Sequence, residues 1–227
     1  MLNKIRQGLA GHHPLKNPQI QKHASVLIPL LEADGELFVM LTQRSDQLRS
    51  HAGQVSFPGG KQDPQDANSL ETALRETNEE IGLPQEKIEI IGQLDQILSL
   101  HYYLVTPFVG FIPNDFVPVP NEDEIEAVFK VPLSFFMNSE HHWNEEFKTP
   151  IATILSHHFE FKGFDIWGLT AKLILRLLEI GLGHVPDFLV HHPDSPTWME
   201  RTIDFSGEEQ AFDSKALRHF EQGKVHR

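Results

Sequence analysis

Hydrophobic residues along the first two-thirds of the chain alternate with polar ones or form short continuous apolar runs, as β-strands require. Two of these runs are separated by Glu-Ala-Asp-Gly, and the Asp34-Gly35 pair is typical of a tight hairpin turn. The predicted strands lie at 25–31, 37–42, 88–94, 104–112 and, as a second hairpin, 143–161. They predict a domain built around a β-sheet.

Helical periodicity is clearest between two of the predicted strands. Apolar side chains recur every three or four residues from Leu70 onward, which predicts a helix over about 69–80. Asn68 followed three positions later by Glu71 resembles a capping box, and Gly82 supplies a C-terminal stop.

A second amphipathic pattern covers residues 166–182. Charged residues interrupt this apolar segment at helical spacing, so it predicts an amphipathic helix and not a membrane span. We expect residues 164–171 to open this helix, with Asp165 as its N-cap. Strands and helices together predict a mixed α/β or α+β domain.

Three carboxylates crowd one face of the first helix. Glu76, Glu79 and Glu80 stand at i, i+3 and i+4 near the negative end of the helix dipole. This placement opposes stability, since like charges four residues apart repel by roughly 0.2–0.5 kcal/mol. A divalent cation would reverse the sign of that effect. A solvated acidic face is the alternative interpretation, but the Gly-Gly pair before the helix and Gly82 after it favour a metal site.

Composition narrows the classes of partner. The chain has 227 residues and a formal net charge of −13, so non-specific binding to nucleic acid, which needs surplus Lys and Arg, is not expected. Cysteine is absent, which excludes disulfides and fits a cytoplasmic location, and no segment is expected to cross or enter a membrane. Clustered carboxylates without cysteine or a histidine cluster favour a hard cation, Mg²⁺ or Mn²⁺.

The first helix resembles the second half of the Nudix box, written Gx5Ex7REUxEExGU, where U is a bulky aliphatic residue. The matching residues are Arg75, Glu76, Glu79, Glu80, Gly82 and Leu83. The first half of the motif departs from this pattern. Gly60 lies one residue too far from Arg75, and Ala67 stands where the early Glu is expected, with Asp66 beside it.

The segment ahead of the box resembles LLTxRSx3Rx3Gx3FPGG, the signature of coenzyme A diphosphatases within the Nudix hydrolases. Ten positions match at fixed spacing, and Met40 replaces the first Leu. The matching residues are Leu41, Thr42, Arg44, Ser45, Arg49, Gly53, Phe57, Pro58, Gly59 and Gly60.

The resemblance implies roles for individual residues. Glu76 and Glu80 are the expected metal ligands, Glu79 a ligand or the general base, and Arg75 the group that orients a carboxylate. In the acidic loop 121–126, Glu124 precedes an aliphatic residue as in the family pattern and is a second candidate base, although a solvated loop carboxylate is the simpler interpretation. The expected substrate contacts are Arg44, Arg49, Gly59, Gly60 and Lys61.

The fold implied by the resemblance is the Nudix α/β/α sandwich with a mixed central sheet. We expect an N-terminal arm or helix at 1–24, a Nudix hydrolase domain at 25–183 and a C-terminal extension without an assigned role at 184–227.

The implied reaction is metal-dependent hydrolysis of the diphosphate bond of coenzyme A or its derivatives, which gives adenosine 3′,5′-bisphosphate and 4′-phosphopantetheine. One alternative is a Nudix hydrolase that acts on another nucleoside diphosphate derivative, such as ADP-ribose or a dinucleotide. A second alternative is a non-catalytic binding module with the same fold. Oligomeric state is not predicted.

Overall fold

The computed structural model describes residues 1–16, 20, 22–48, 51–99, 101–148 and 153–186. The helices are α1 (Leu2–Gly11), α2 (Ser69–Ile81) and α3 (Gly168–Leu182). The strands are β1 (His23–Ala33), β2 (Glu36–Arg44), β3 (Val55–Ser56), β4 (Gly59–Lys61), β5 (Glu89–Gln93), β6 (Ile97–Leu98), β7 (Leu104–Phe111), β8 (Ile125–Pro132), β9 (His142–Lys148), β10 (Thr153–Phe161) and β11 (Phe164–Trp167).

An eight-stranded mixed sheet forms the centre of the molecule. Its middle strand, β1, pairs in antiparallel fashion with β2 and in parallel with β7. β5 and β6 pair with β7, and β8 pairs with β2. The remaining strands, β9 to β11, form a separate antiparallel sheet.

β1 and β2 separate at one end of the sheet. They pair with each other next to the turn, from Leu30 to Ala33 of β1, and Asp34 and Gly35 in the turn both have positive φ. Farther from the turn β1 pairs with β4 and β2 pairs with β3. The short strands β3 and β4 therefore fill the opening and bring the Gly59-Gly60 pair into it.

Helices cover both faces of the sheet. Successive residues of a strand point to opposite faces, so Leu27 and Leu31 of β1 pack with Ala73 of α2, whereas Ile28 and Leu30 belong to the larger core that contains α1 and α3. This arrangement is an α/β/α sandwich with a mixed sheet, as predicted.

The N-terminal helix belongs to the larger core. Ile5 and Leu9 of α1 are buried, and α1 packs against α3. The two helices approach closely at Gly181 of α3. A Cβ at this position would lie 3.1 Å from Cγ1 of Ile5, so a larger residue would push the helices apart. The proposed domain boundaries stay a prediction, and most of the predicted C-terminal extension, residues 187–227, lies outside the described residues.

The predicted start of the last helix is wrong. Residues 164–167 form β11, which pairs with β10, and Asp165 therefore lies in a strand. Lys162 and Gly163 both have positive φ and close a tight hairpin, so the chain continues as a strand before α3 begins at Gly168. Among the described residues, no helix is both long and apolar enough to cross a membrane.

Candidate active site

Local hydrogen bonds fix both ends of α2. The side chain of Asn68 accepts from the backbone N–H groups of Leu70 and Glu71, each at 3.0 Å, and the Glu71 carboxylate accepts from the N–H of Ala67 at 2.6 Å. Gly82 ends the helix in the left-handed conformation with φ of 69°. The predicted N-cap, C-terminal stop and length are thus confirmed, although Glu71 accepts from Ala67 and not from the N-cap residue as a capping box requires, and the last two turns lie beside β4.

Glu80 is buried and faces the opening between β1 and β2. Its Oε2 accepts from the backbone N–H of Gly59 at 3.1 Å, and its Oε1 accepts from Nη1 of Arg44 at 3.3 Å. Burial raises the pKa of Glu80 to about 7, although both donors favour the ionised form. The structure thus places Arg44, Gly59 and Glu80 in one group.

Glu76 lies one helical turn before Glu80 and packs against the backbone of Gly60. A Cβ at position 60 would lie 2.5 Å from Cδ of Glu76 and 2.6 Å from each of its carboxylate oxygens. Only glycine therefore leaves room for this carboxylate. Partial burial raises the pKa of Glu76, and the charges of Glu79 and Glu124 contribute to the shift.

Glu124 is carried to the site by backbone contacts. Its carbonyl accepts from the N–H of Ser45 at 2.8 Å, and the N–H of Asn121, earlier in the same loop, donates to the carbonyl of Glu80 at 2.9 Å. The charge of Glu124 contributes to the raised pKa of both Glu76 and Glu80. The loop acid therefore lies within electrostatic reach of the two helical acids.

Arg75 organises the acids around it. Its Nε donates to Oδ1 of Asp66 and its Nη2 to Oδ2, both at 2.9 Å, while Nη1 donates to Glu79 at 2.9 Å and Nη2 also donates to Glu76 at 3.0 Å. Asp66 is buried, and the hydrogen bonds from Arg75 lower its pKa strongly. Sequence reasoning did not assign Asp66 a role, although an acid next to the position of the missing Glu was a usable signal.

The three predicted metal ligands do not share one environment. Glu76 and Glu80 face β4, whereas Glu79 has a side chain that is 55% exposed and is held by Arg75. Within the described ranges, no three acidic, histidine or cysteine side chains converge closely enough to hold one metal ion. The donor atoms of Glu76, Glu79 and Glu80 are carboxylate oxygens, which suit Mg²⁺ and Mn²⁺. Because Gly60 has no side chain, the carboxylate of Glu76 can lie close to the backbone of β4.

The predicted substrate contacts are also divided. Arg44, Gly59 and Gly60 lie beside Glu76 and Glu80. The side chain of Lys61 is exposed and lies over the ring of Tyr103, while its backbone carbonyl accepts from Arg75 at 3.3 Å. Arg49 lies outside the described residues.

The site thus combines acidic side chains of α2 with the Gly-Gly pair of β4 inside a mixed-sheet sandwich. The NUDIX domain matches residues 21–149, which is more than half of the chain. The chain belongs to the Nudix hydrolase family. Members of this family generally need divalent metal ions.

Three relatives illustrate the similarity. Nudix hydrolase 15, mitochondrial, of Arabidopsis thaliana is 40% identical over 76% of this chain, and the match spans 63% of that protein's own length. The mouse peroxisomal coenzyme A diphosphatase NUDT7 is 38% identical over 73% of each chain. The uncharacterized Nudix hydrolase NudL of Escherichia coli K12 is 38% identical over 74% of this chain and 91% of its own.

Proposed function

We propose that this protein hydrolyses the diphosphate bond of coenzyme A or a coenzyme A derivative, releasing adenosine 3′,5′-bisphosphate and 4′-phosphopantetheine. The observation that carries the proposal is the contact of Arg44 with Glu80 at 3.3 Å. It joins a residue of the coenzyme A diphosphatase signature to a carboxylate of the Nudix helix. The name of the mouse relative supports the same substrate class.

We assign Glu76 and Glu80 as the metal ligands, with Arg75 holding the neighbouring acids in place. Bound Mg²⁺ or Mn²⁺ would neutralise the diphosphate and lower the pKa of a coordinated water. Arg44 and the Gly59 amide hold Glu80 in its present position, and we assign Arg44 a second contact, with a phosphate oxygen of the substrate.

Glu124 is the stronger candidate for the general base. Its backbone carbonyl accepts from the N–H of Ser45, next to Arg44, and its charge contributes to the raised pKa of both Glu76 and Glu80. Glu79 is engaged by Arg75 and largely exposed. A base must accept a proton from water next to the scissile bond, so a carboxylate within electrostatic reach of both helical acids is favoured.

Product analysis tests the substrate. Coenzyme A, dephospho-coenzyme A, ADP-ribose, NADH and diadenosine tetraphosphate are incubated with the protein and either Mg²⁺ or Mn²⁺. We expect coenzyme A or its acyl derivatives to have the highest kcat/KM, with adenosine 3′,5′-bisphosphate as a product. A clear preference for ADP-ribose or for a dinucleotide would overturn this assignment and identify a different nucleoside diphosphate substrate.

The metal ligands are tested separately. Glu80→Gln removes one anionic ligand at nearly constant volume, and we expect kcat to fall by about 100-fold or more at saturating Mg²⁺. The stabilisation of the protein by Mg²⁺ or Mn²⁺ in a thermal unfolding assay should also be lost. Glu86→Gln, at an exposed position beyond α2, is the matched control and should change neither property. Full turnover and metal stabilisation in Glu80→Gln would exclude this carboxylate as a ligand.

A further inference from the structure

Two lysines meet over one aromatic ring at the end of the central sheet. The Nζ atoms of Lys22 and Lys61 lie 5.8 Å and 5.3 Å from the ring centroid of Tyr103. These residues come from three adjacent elements of the sheet. Lys61 ends β4, Lys22 precedes β1, and Tyr103 precedes β7.

Strand register places the three side chains on the same face. Ala24 pairs with Lys61 of β4 and with Val105 of β7, and Lys22 and Tyr103 each lie two residues earlier on their own segments. The N–H of Leu104 donates to the carbonyl of Lys22 at 2.8 Å, which continues the pairing to this point. Since side chains two residues apart share a face, the meeting of the three is a consequence of the fold.

The ring of Tyr103 is the contact that the two ammonium groups share. Neither forms an ion pair with any residue of the described part of the chain. A ring face attracts an ammonium group and limits its motion, but it takes up none of the charge as a carboxylate would. In a chain with a net charge of −13, two such ammonium groups on one ring form a local positive site.

The turn that carries Tyr103 is unusual. Tyr102 has φ of 61°, a left-handed conformation that a bulky residue rarely adopts. The N–H of Tyr103 donates to Oγ of Ser99 at 3.1 Å, which holds the turn. The ring of His101 packs edge-on against His51 at 4.8 Å, so the turn also touches the segment that carries the substrate signature.

We propose that Lys22, Lys61 and Tyr103 form a subsite for a phosphate monoester on the nucleoside part of the substrate, distinct from the scissile diphosphate. This inference rests on the proposed function and deepens it. Lys61 directly follows Gly60 in β4, so its side chain points to the face of the sheet opposite Glu76, and the subsite lies across this short strand from the catalytic carboxylates. Arg44 is held at Glu80, so we assign it to the diphosphate end and the lysine pair to the second anionic group.

Calorimetric titration with two nucleotides tests the subsite without requiring turnover. Adenosine 3′,5′-bisphosphate carries the extra phosphate, and AMP lacks it. We expect the wild-type protein to bind the bisphosphate about fivefold more tightly or better, since each exposed charge-assisted contact contributes modestly. Lys22→Gln should abolish most of the ratio of the affinity for the bisphosphate to the affinity for AMP, and should leave AMP binding almost unchanged.

Two further variants separate the subsite from general electrostatics. Tyr103→Phe keeps a ring under the lysines and should retain the ratio, whereas Tyr103→Leu should lose it. Lys130→Gln removes an exposed lysine that lies 5.9 Å from the ring of Phe38, an equivalent contact elsewhere on the sheet, and should retain the ratio.

Equal affinity of the wild-type protein for the two nucleotides would overturn the proposal. An equal loss of affinity for the bisphosphate and for AMP in Lys22→Gln would overturn it as well. A loss in Lys130→Gln as large as in Lys22→Gln would attribute the ratio to net charge and overturn it too. If the ratio depends on Lys22 while coenzyme A is not hydrolysed, the subsite stands and the proposed substrate fails. If coenzyme A is hydrolysed and the ratio is absent, the subsite alone fails.

Discussion

Arg75 and Asp66 form a two-pronged ion pair in which Nε and Nη2 of the arginine donate to separate oxygens of the carboxylate, each at 2.9 Å. Asp66 also accepts from the hydroxyl of Thr72 at 2.9 Å and from the N–H of Asp63 at 2.9 Å. The aspartate side chain is 3% exposed. It therefore ties the loop before α2 to the arginine that holds Glu76 and Glu79.

Replacing Asp66 by Asn should weaken both stability and catalysis. The variant leaves Arg75 without its main anionic partner, so we expect the free energy of unfolding to fall by about 1–3 kcal/mol. We expect kcat to fall about tenfold because Glu76 loses its fixed neighbour. Denaturant unfolding and steady-state kinetics measure the two effects. Asp66→Glu should recover part of the activity, and Asp115→Asn, at an exposed position, should change neither quantity. Wild-type kcat in Asp66→Asn would show that Arg75 is held without it.

Gly60→Ala should impair catalysis more than folding. The added methyl group would lie 2.5 Å from Cδ of Glu76, and the flexible carboxylate can move away more easily than the backbone of β4. We expect kcat to fall about tenfold or more, with a stability loss within about 1–3 kcal/mol. Gly11→Ala is the matched control, since a Cβ there meets nothing within 4 Å. Equal kcat in the two variants would mean that the position of Glu76 is not critical.

Glu124→Gln should lower kcat about tenfold or more, because an amide cannot accept the proton that a general base removes. Glu126→Gln, two residues later and exposed, should have wild-type kinetics. We expect Glu79→Gln to have the smaller effect of the two active-site substitutions. A comparison of kcat across the three variants at saturating metal and substrate decides the assignment. If Glu79→Gln is the more damaging, the base lies on the helix.

Stability should decline in mild acid because two histidines are held neutral. His157 is buried, and its Nδ1 lies 2.9 Å from Nε2 of His142. Burial lowers the pKa of both rings to about 4, and the charges of His158 and Lys172 add to the shift of His157. In the unfolded chain histidine titrates near its usual value of about 6.5, so the unfolded state binds protons first.

The two neutral rings therefore cost no stability above a pH of about 6.5, and the free energy of unfolding falls as the pH decreases from there toward 4. For His157 the loss near pH 4 should be roughly 2–3 kcal/mol. Urea unfolding at a series of pH values measures it. In His157→Gln the dependence on pH should be flatter, and a slope identical to that of the wild type would assign the acid sensitivity to other groups.

The sequence was most informative where the interactions are local. The capping of α2 by Asn68, its stop at Gly82 and the turn at Asp34-Gly35 each depend on neighbours within four residues, and the structure confirms all three. The start of α3 was mispredicted, because the hairpin turn at Lys162 competes with the helical pattern that follows.

Long-range pairing was beyond such reasoning. The role of Asp66 depends on a bidentate contact with Arg75, and the meeting of Lys22 with Tyr103 depends on the parallel register of β1 and β7. No spacing of residues along the sequence predicts the register of β1 against β7. The sequence likewise predicts an N-terminal arm or helix, but not that Ile5 packs against Gly181.

The hydrogen bond from the N–H of Ser45 to the carbonyl of Glu124 has a consequence for how the enzyme matures. α2 and β4 are close in sequence, so a nascent or refolding chain can bring Glu76 and Glu80 together early. Glu124 joins them only when β8 docks along β2, which closes a long stretch of intervening chain and is slower. A partly folded chain would thus hold two of the three acids, and competence for catalysis would coincide with completion of the sheet.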